Sequence, residues 1–323
     1  MNMLYIQYPS YIHPEIFPGV PVLGLIRWYG LMYIFAFATA WFILKKLRRE
    51  GMLDTADCKP TEDDMFSCMA SGIVFLLIGA RVFSTLIYDT TGEYIRRPWL
   101  IFWPFSKDGH FTGLAGMSYH GGVIGGLLGV LIWCRRHKKP LLQWTDAMCT
   151  AIPLGYTFGR VGNFLNGELF GRITTAPWGI IFPAAQKFSA SKEWVQDFAA
   201  RIGLHIDNVG LVNLPRHPSQ LYEAFFEGIV LWAILWSLRR RRPFNGFLTA
   251  LYVALYGLFR FFIEYFREPD ADLGFRIAKD VSANLYENVS FFNISTGQIL
   301  CLLMFCAGLA ALLVLRRLSK KRQ

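Results

Sequence analysis

The chain has 323 residues, of which 54% are hydrophobic and 17% are charged, and its formal net charge is +10. Soluble domains contain about 25% charged and about 45–50% apolar residues, so this composition favours a membrane protein. The positive charge does not indicate nucleic-acid binding, because the basic residues form short clusters beside apolar runs and no nucleic-acid-binding module is present.

Apolar runs recur along the chain at lengths that suit membrane crossing. A hydrocarbon core of about 30 Å needs about 20 helical residues. We therefore predict an all-α polytopic membrane protein with seven transmembrane helices, at residues 27–44, 65–88, 119–133, 143–162, 220–238, 247–266 and 297–315. The third and fourth are the weakest, because they are short, rich in glycine or interrupted by Pro153.

Basic clusters follow every second predicted helix. The sequences are KKLRR after the first, RRHKK after the third, RRRR after the fifth and RRLSKKR after the seventh. If successive helices alternate in direction, all four clusters lie on one side, and positive residues favour the cytoplasm. We expect the N-terminus outside and the C-terminus in the cytoplasm.

Three longer connections then lie on the external side, at residues 89–118, 163–219 and 267–296. We expect residues 1–323 to form a single membrane domain with these segments as external elaborations. Within the second segment, residues 185–202 suit one short amphipathic helix.

Ionisable residues within the predicted helices are candidates for function, because each costs about 2.5–3.5 kcal/mol at mid-bilayer unless it is paired or faces a polar cavity. Arg260 lies well inside the sixth predicted helix, and Glu264 follows four residues later on the same face. One interpretation is an ion pair that only joins helices. The other is an arginine that grips a phosphate, because a guanidinium matches phosphate oxygens with two donors.

Arg160 lies in the sequence GYTFGRVGNFLNGELFGR, where the fourth predicted helix reaches the outside. Glycines in this stretch, Gly171 among them, let the backbone approach a ligand closely, and Asn163 adds a donor and an acceptor. A helix end with a snorkelling arginine is the alternative. The density of glycine, asparagine, glutamate and arginine favours a binding loop.

Three further features of the sequence concern possible site residues, and the first two have two interpretations each. His120 precedes a glycine-rich run, GGVIGGLLG, whose spacing favours close helix packing; the histidine itself is either a polar helix cap or a general base. Gln220, Glu223 and Glu227 fall on one helical stripe that should face other helices or a cavity, and Gln220 and Glu223 either hold helices together or contact a ligand. Tyr29 suits the aromatic belt at the membrane interface.

Five blocks together resemble the prolipoprotein diacylglyceryl transferase family. They are RWYGLMY (27–33), YHGGVIGG (119–126), GRVGNFLNGELFGR (159–172), HPSQLYE (217–223) and YGLFRFFIEYFREPD (256–270). The blocks occur in the family's order, and they reach from the first predicted helix to the sixth. The resemblance is weaker in the external segments and over the seventh helix.

The resemblance implies an enzyme of the bacterial plasma (inner) membrane that uses no metal and no cofactor. Such an enzyme moves the diacylglyceryl group of phosphatidylglycerol to the thiol of the lipobox cysteine in a prolipoprotein signal peptide, and glycerol phosphate leaves. Its two indispensable arginines match Arg160 and Arg260. The other matching site residues are His120, Asn163, Glu168, Glu264, Tyr29 and Tyr256.

These residues suggest roles in the reaction. We expect Arg160 and Arg260 to bracket the phosphate and Glu264 to orient Arg260. Asn163, Glu168, Tyr29, Tyr256 and Gly171 are expected to bind the substrate or shape its pocket. The base is left open between His120 and a thiol activated by the arginines.

Two other functions remain alternatives from the residues alone. Charged residues inside membrane helices also mark transporters, although those proteins commonly show an internal repeat, and we find none in the sequence. A non-catalytic lipid-binding protein is the second alternative.

Overall fold

Helices dominate the described chain, and short strand pairs lie between them. A computed structural model describes residues 5–20, 26–56, 58–87, 89, 92–105, 109–110, 116–206, 210–268, 274–279, 286–287 and 290–321. The chain divides into a large unit, Met1–Ile43 with Met148–Gln323, and a small unit, Leu44–Ala147. Stretches of the predicted external segments, including 111–115, 207–209 and 269–273, lie outside the described residues.

Ten α-helices lie in the described residues. In order they are α1 (Trp28–Arg49), α2 (Glu62–Ile87), α3 (Glu93–Arg96), α4 (Tyr119–Arg136), α5 (Leu141–Leu165), α6 (Glu193–Arg201), α7 (Ser219–Glu223), α8 (Leu231–Leu238), α9 (Phe247–Ile263) and α10 (Thr296–Lys320). The longest connections between them follow α3, α5 and α9. A 3₁₀ turn, Pro98–Phe102, follows α3. A π-helical segment, Ala224–Val230, joins α7 to α8, so that Ser219–Leu238 forms one continuous helix.

Helices lie at the positions that the apolar runs predicted, and the prediction of an all-α membrane protein is confirmed at that level. Within the described residues, four helices are long and apolar enough to cross a membrane: Trp28–Arg49, Glu62–Ile87, Ser219–Leu238 and Thr296–Lys320. A shorter apolar helix is Phe247–Ile263. The number of spans and their orientation stay predictions.

Helix α2 begins three residues earlier than its apolar run. The hydroxyl of Thr61 accepts a hydrogen bond from the Asp64 amide at 3.0 Å, and the Asp64 carboxylate accepts one from the Thr61 amide at 2.9 Å. This reciprocal cap satisfies amides that the first turn leaves unpaired. The acidic residues of that turn also suit the positive end of the helix dipole, so a polar turn extends the helix beyond the apolar run.

The predicted helix over 185–202 is only partly correct. Residues Glu193–Arg201 are helical, but Phe188–Ser189 is a strand, β3, that pairs antiparallel with β4, Leu211–Val212. Phe188 then packs with Val195 and Phe198 of α6 in a buried cluster, a contact that one continuous helix does not allow. The other strand pairs are β1 with β2 (Ile6–Gln7 with Ile180–Ile181, parallel) and β5 with β6 (Phe275–Ile277 with Ile294–Ser295, antiparallel).

The small unit is built on a close crossing of α2 and α4. A Cβ on Gly121 would lie 2.3 Å from the carbonyl oxygen of Gly79, and a Cβ on Gly125 would lie 2.1 Å from that of Phe75. The two backbones therefore touch only because glycine occupies these positions, as the GxxxG spacing predicted. At the far end of the crossing, Trp133 donates a hydrogen bond to the Ser67 hydroxyl at 3.0 Å.

Adjacent glycines of α4 provide a matched test of this packing. We expect Gly125→Ala to destabilise the small unit by at least about 2 kcal/mol, because the added methyl group overlaps a backbone carbonyl that cannot rotate away. Gly126→Ala is the control, since its Cβ would meet other atoms only at 3.7 Å or more. Alanine there is expected to be neutral or to stabilise the helix by up to about 1 kcal/mol. Unfolding midpoints of the detergent-solubilised variants measure the difference, and equal midpoints would contradict the close crossing.

In the large unit, α5 crosses the helix Ser219–Leu238 at the π-helical segment. A Cβ on Gly228 would lie 2.0 Å from the Thr157 hydroxyl, which also donates to the carbonyl of Ala224 at 3.3 Å. A side chain that competes for a helical carbonyl in this way widens the helix locally, and such π segments often occur at functional sites. The crossing places the C-terminal turns of α5 beside Glu223 of α7 and Glu227 of the π-helical segment.

Candidate functional site

The ends of three helices in the large unit are joined by backbone hydrogen bonds. Gly171, after α5, pairs with Arg267, after α9, and its amide donates to the carbonyl of His217, before α7, at 2.8 Å. The Arg172 amide donates to the carbonyl of Phe266 at 2.9 Å. These bonds fix the C-terminal ends of α5 and α9 against the N-terminal end of α7, and the polar side chains of all three helices meet there.

Gly171 is explained by this backbone pairing. A Cβ at that position would lie 2.1 Å from the carbonyl oxygen of Phe266 and 3.0 Å from Cβ of His217. The residue must therefore be glycine for the three segments to meet. Its predicted part in substrate binding stays a prediction.

Glu223, in α7, lies at the centre of the polar cluster. Its Oε2 lies 2.9 Å from Nε of Arg160 and 3.0 Å from Nη1 of Arg260, and its Oε1 lies 2.9 Å from Nη1 of Arg267. The Glu223 side chain is fully buried, whereas the arginine side chains keep 15–23% of their surface exposed. One carboxylate thus holds guanidinium groups from three segments, and each of them retains an accessible edge.

Arg260 is also held by its own helix. Its Nε donates to Oε1 of Glu264 at 2.8 Å, one helical turn away, as the spacing of the two residues predicted. Arg267 approaches the same oxygen at 3.4 Å. The guanidinium of Arg260 is therefore oriented by two carboxylates at once, Glu223 and Glu264.

Tyr156, in α5, connects Arg160 to the carboxylates of α7 and the π segment. The Tyr156 hydroxyl accepts a hydrogen bond from Nε of Arg160 at 2.6 Å. The same oxygen lies 2.5 Å from Oε2 of Glu227 and 3.2 Å from Oε2 of Glu223. The Arg160 guanidinium lies over the Tyr156 ring, 4.7 Å from its centroid, which favours the cation further.

A second chain of hydrogen bonds extends from Arg160 towards the loop after α5. Nη1 of Arg160 donates to Oδ1 of Asn163 at 3.4 Å, and Nδ2 of Asn163 donates to Oε1 of Glu168 at 3.0 Å. The loop is fixed from the other side, because Gln220 donates to the carbonyl of Glu168 at 2.6 Å. The structure thus brings Asn163 and Glu168 together with Arg160, and Gln220 positions the loop that carries Glu168.

The predicted tyrosines lie beside this cluster. The Tyr29 hydroxyl lies 3.0 Å from that of Tyr33, and Cδ2 of Tyr29 would be 3.3 Å from a Cβ on Gly162. The Tyr256 ring meets the Tyr156 ring edge-on, with centroids 6.3 Å apart. Tyr256 thus borders the ring of Tyr156, which contacts Arg160, and Tyr29 borders the last turns of α5. Their part in substrate binding stays a prediction.

His120 belongs to the small unit, whereas the arginine cluster belongs to the large one. It is exposed in the first turn of α4, two residues after the N-cap Ser118, whose side chain accepts from the Gly121 amide. Ser118 rather than His120 provides this cap. The catalytic role of His120 stays a prediction.

A histidine at the edge of the cluster is uncharged at neutral pH. Burial, and then the nearby Arg172 guanidinium, lower the pKa of His217 to about 4. Nδ1 of His217 lies 3.1 Å from the Tyr222 hydroxyl, which accepts a hydrogen bond from the Trp178 indole at 2.7 Å. This network of His217, Tyr222 and Trp178 fixes the entry to α7.

Sequence reasoning assigned no definite role to four residues that the structure places in the cluster. Glu223 was left open, Glu227 was placed on the same helical stripe without a role, and Tyr156 and Arg267 were not selected. Tyr156 precedes Arg160 by four residues and Glu227 follows Glu223 by four, so helical spacing was the available signal. Spacing along one helix does not reveal which residues another helix brings close.

Comparisons with known proteins agree on one family. The model described as prolipoprotein diacylglyceryl transferase matches residues 20–314. The phosphatidylglycerol--prolipoprotein diacylglyceryl transferase of Treponema denticola is 53% identical, over 99% of this chain and 97% of that protein. The protein of the same description from Treponema pallidum is 53% identical over 99% and 98%, and that from Borrelia garinii is 43% identical over 98% and 96%.

Proposed function

Because the chain belongs to the prolipoprotein diacylglyceryl transferase family, we propose that it transfers the diacylglyceryl group of phosphatidylglycerol to a prolipoprotein. The acceptor is the thiol of the lipobox cysteine in the signal peptide. The products are a thioether and glycerol phosphate, and the reaction is the first step of lipoprotein maturation.

The observation that best supports this site is the shared contact of Arg160 and Arg260 with Oε2 of Glu223, at 2.9 and 3.0 Å. Two guanidinium groups that meet on one carboxylate oxygen are close enough to bind the oxygens of a single phosphate. Their partial exposure leaves donors for that purpose. Bidentate guanidinium–phosphate contacts are strong and directional.

The arginines assist the reaction by stabilising charge that grows during it. The thiol sulfur attacks the glyceryl carbon, the bond from that carbon to the phosphate oxygen breaks, and negative charge develops on the phosphate. Fixed donors aimed at those oxygens stabilise the transition state more than the bound lipid, and only this difference raises the rate. Glu223 and Glu264 hold the donors in position before the reaction begins.

The remaining predicted residues complete the headgroup pocket in this proposal. Asn163 and Glu168 offer donors and acceptors to the glycerol hydroxyls, next to Arg160. Tyr29, Tyr256 and Gly171 shape the surrounding wall.

We further propose that the chain forms one domain in the bacterial inner membrane. It would have seven spans, an external N-terminus and a cytoplasmic C-terminus, because its basic clusters follow every second helix. Both substrates then reach the site laterally through the bilayer, and the external segments guide the signal peptide.

His120 is the proposed base for the thiol. We expect His120→Gln to lower kcat by about 100-fold, because a thiol with a pKa of about 8.5 is mostly protonated at neutral pH. His137→Gln is the control, since His137 is an exposed histidine just past the other end of α4. Near-normal turnover by His120→Gln would remove this residue as an obligatory base.

The decisive experiment incubates the purified protein with phosphatidylglycerol and a lipobox peptide, followed by mass measurement of the peptide. We expect a gain equal to one diacylglyceryl group, which disappears when the peptide cysteine is replaced by serine. An unmodified peptide, under conditions in which the protein remains folded, would contradict the proposed function.

A further inference from the structure

Glu227 differs from the other carboxylates of the cluster because, among the described residues, no cation lies closer to it than Arg260 at 3.7 Å. Its side chain is fully buried, and its Oε1 lies 3.7 Å from Nη1 of Arg260. That oxygen has no hydrogen-bond partner among the described residues. Glu223, one helical turn away, receives guanidinium donors on both oxygens. An ionised carboxylate with so little compensation is costly in a buried position, and a neutral one is not.

The hydrogen bonds around Tyr156 lead to the same conclusion. A phenol hydroxyl has one hydrogen to donate and two lone pairs to accept with. Three polar atoms surround the Tyr156 oxygen: Nε of Arg160 at 2.6 Å, Oε2 of Glu227 at 2.5 Å and Oε2 of Glu223 at 3.2 Å. If both carboxylates were ionised, only one could receive the hydroxyl proton. If Glu227 is protonated, it donates to Tyr156, Tyr156 donates to Glu223, and all three contacts are satisfied.

The charge of the cluster supports a neutral Glu227 as well. Arg160, Arg260 and Arg267 face Glu223 and Glu264, with Glu227 beside them. With Glu227 protonated, three positive charges stand against two negative ones among the groups that form direct ion pairs with one another. The single excess positive charge matches a phosphodiester, which carries one negative charge. The thiol of Cys301 in α10, which interacts electrostatically with Glu227, adds no cation.

We propose that Glu227 holds a proton in the resting protein and delivers it, through Tyr156, to the phosphate that leaves; this inference rests on the proposed function. As the carbon–sulfur bond forms, the electron pair of the broken carbon–oxygen bond stays on the phosphate oxygen. That oxygen takes the proton of Tyr156, and Tyr156 takes the proton of Glu227. The thiol proton goes to the base, and Glu227 regains a proton from water when glycerol phosphate has left.

The variant Glu227→Gln separates charge from proton transfer. Glutamine is neutral and its amide can donate to Tyr156, but it has no proton to give up. We expect kcat to fall by about 100-fold, while KM for phosphatidylglycerol stays within about threefold of wild type. A purely structural role for Glu227 does not predict a fall in kcat with an unchanged KM. A kcat within threefold of wild type would overturn the proposal.

A spectroscopic measurement tests the protonation state without using activity. The infrared spectrum of the wild-type protein is expected to contain the carbonyl band of a buried carboxylic acid. Glu227→Gln should lose that band, and Glu287→Gln, which alters a partly exposed ion pair with Arg201, should keep it. If Glu227→Gln does not fold, Tyr156→Phe replaces it, and the band is expected to shift because its hydrogen-bond partner is gone.

The outcomes distinguish this inference from the proposed function. A wild-type protein that modifies no lipobox peptide contradicts the transferase itself. A wild-type protein that modifies the peptide but lacks the carboxylic-acid band, or keeps it in Glu227→Gln, overturns the role of Glu227 alone.

Discussion

Replacing Arg260 with lysine is expected to lower kcat/KM for diacylglyceryl transfer by about 10²- to 10³-fold, although the positive charge is retained. The guanidinium of Arg260 donates from Nε to Glu264 at 2.8 Å and from Nη1 to Glu223 at 3.0 Å. Its planar shape lets it hold both carboxylates and still direct donors at a phosphate. An ammonium group is a single point, so it cannot reproduce these directions together. Initial rates of peptide modification measure the loss.

The control for this substitution is Arg201→Lys. Arg201 pairs with Glu287 at 2.8 Å, but half of its side chain is exposed, so the pair adds little to stability. We expect its kcat/KM to stay within about twofold of wild type. Full activity of Arg260→Lys would contradict two-donor recognition of the phosphate, because charge alone would then suffice.

The positions of the helices could be predicted because an apolar run is a local property of the sequence. Their ends were less predictable. Helix α2 begins with a polar turn capped by Thr61 and Asp64, and a search for apolar residues does not detect it. The helix predicted over residues 185–202 was partly wrong for a different reason. Phe188–Ser189 pairs with Leu211–Val212, and a strand partner distant in sequence overrides local helical periodicity.

In the candidate site, too, local features could be predicted and contacts between distant segments could not. The pairing of Arg260 with Glu264 follows from a separation of four residues, and the structure confirms it. Glu223 could not be assigned, because its importance depends on arginines carried by α5 and by the turn after α9. Tyr156 could not be assigned either, because its role depends on contacts with Glu223 and Glu227 across a helix crossing. Such contacts are properties of the tertiary structure.

The variant Glu223→Gln tests the role of the central carboxylate of the cluster. We expect it to lower the free energy of unfolding by about 3 kcal/mol, because removing one partner of a buried ion pair leaves the others uncompensated. Arg160, Arg260 and Arg267 would lose their common counter-ion, and the glutamine amide group would point a donor at guanidinium donors. The arginines would then move apart, so the variant is also expected to lose more than about 100-fold in the rate of transfer.

Chemical unfolding in detergent measures the first effect, and peptide modification below the unfolding midpoint measures the second. Glu287→Gln is the matched control, because it removes the same charge from a partly exposed pair and should cost less than about 1 kcal/mol. The loss of stability and the loss of activity can occur separately. A stable but inactive Glu223→Gln would mean that the carboxylate orients the arginines without stabilising the fold. A variant that is both stable and active would show that the guanidinium groups keep their positions without Glu223, and the site would then have to be built around another group.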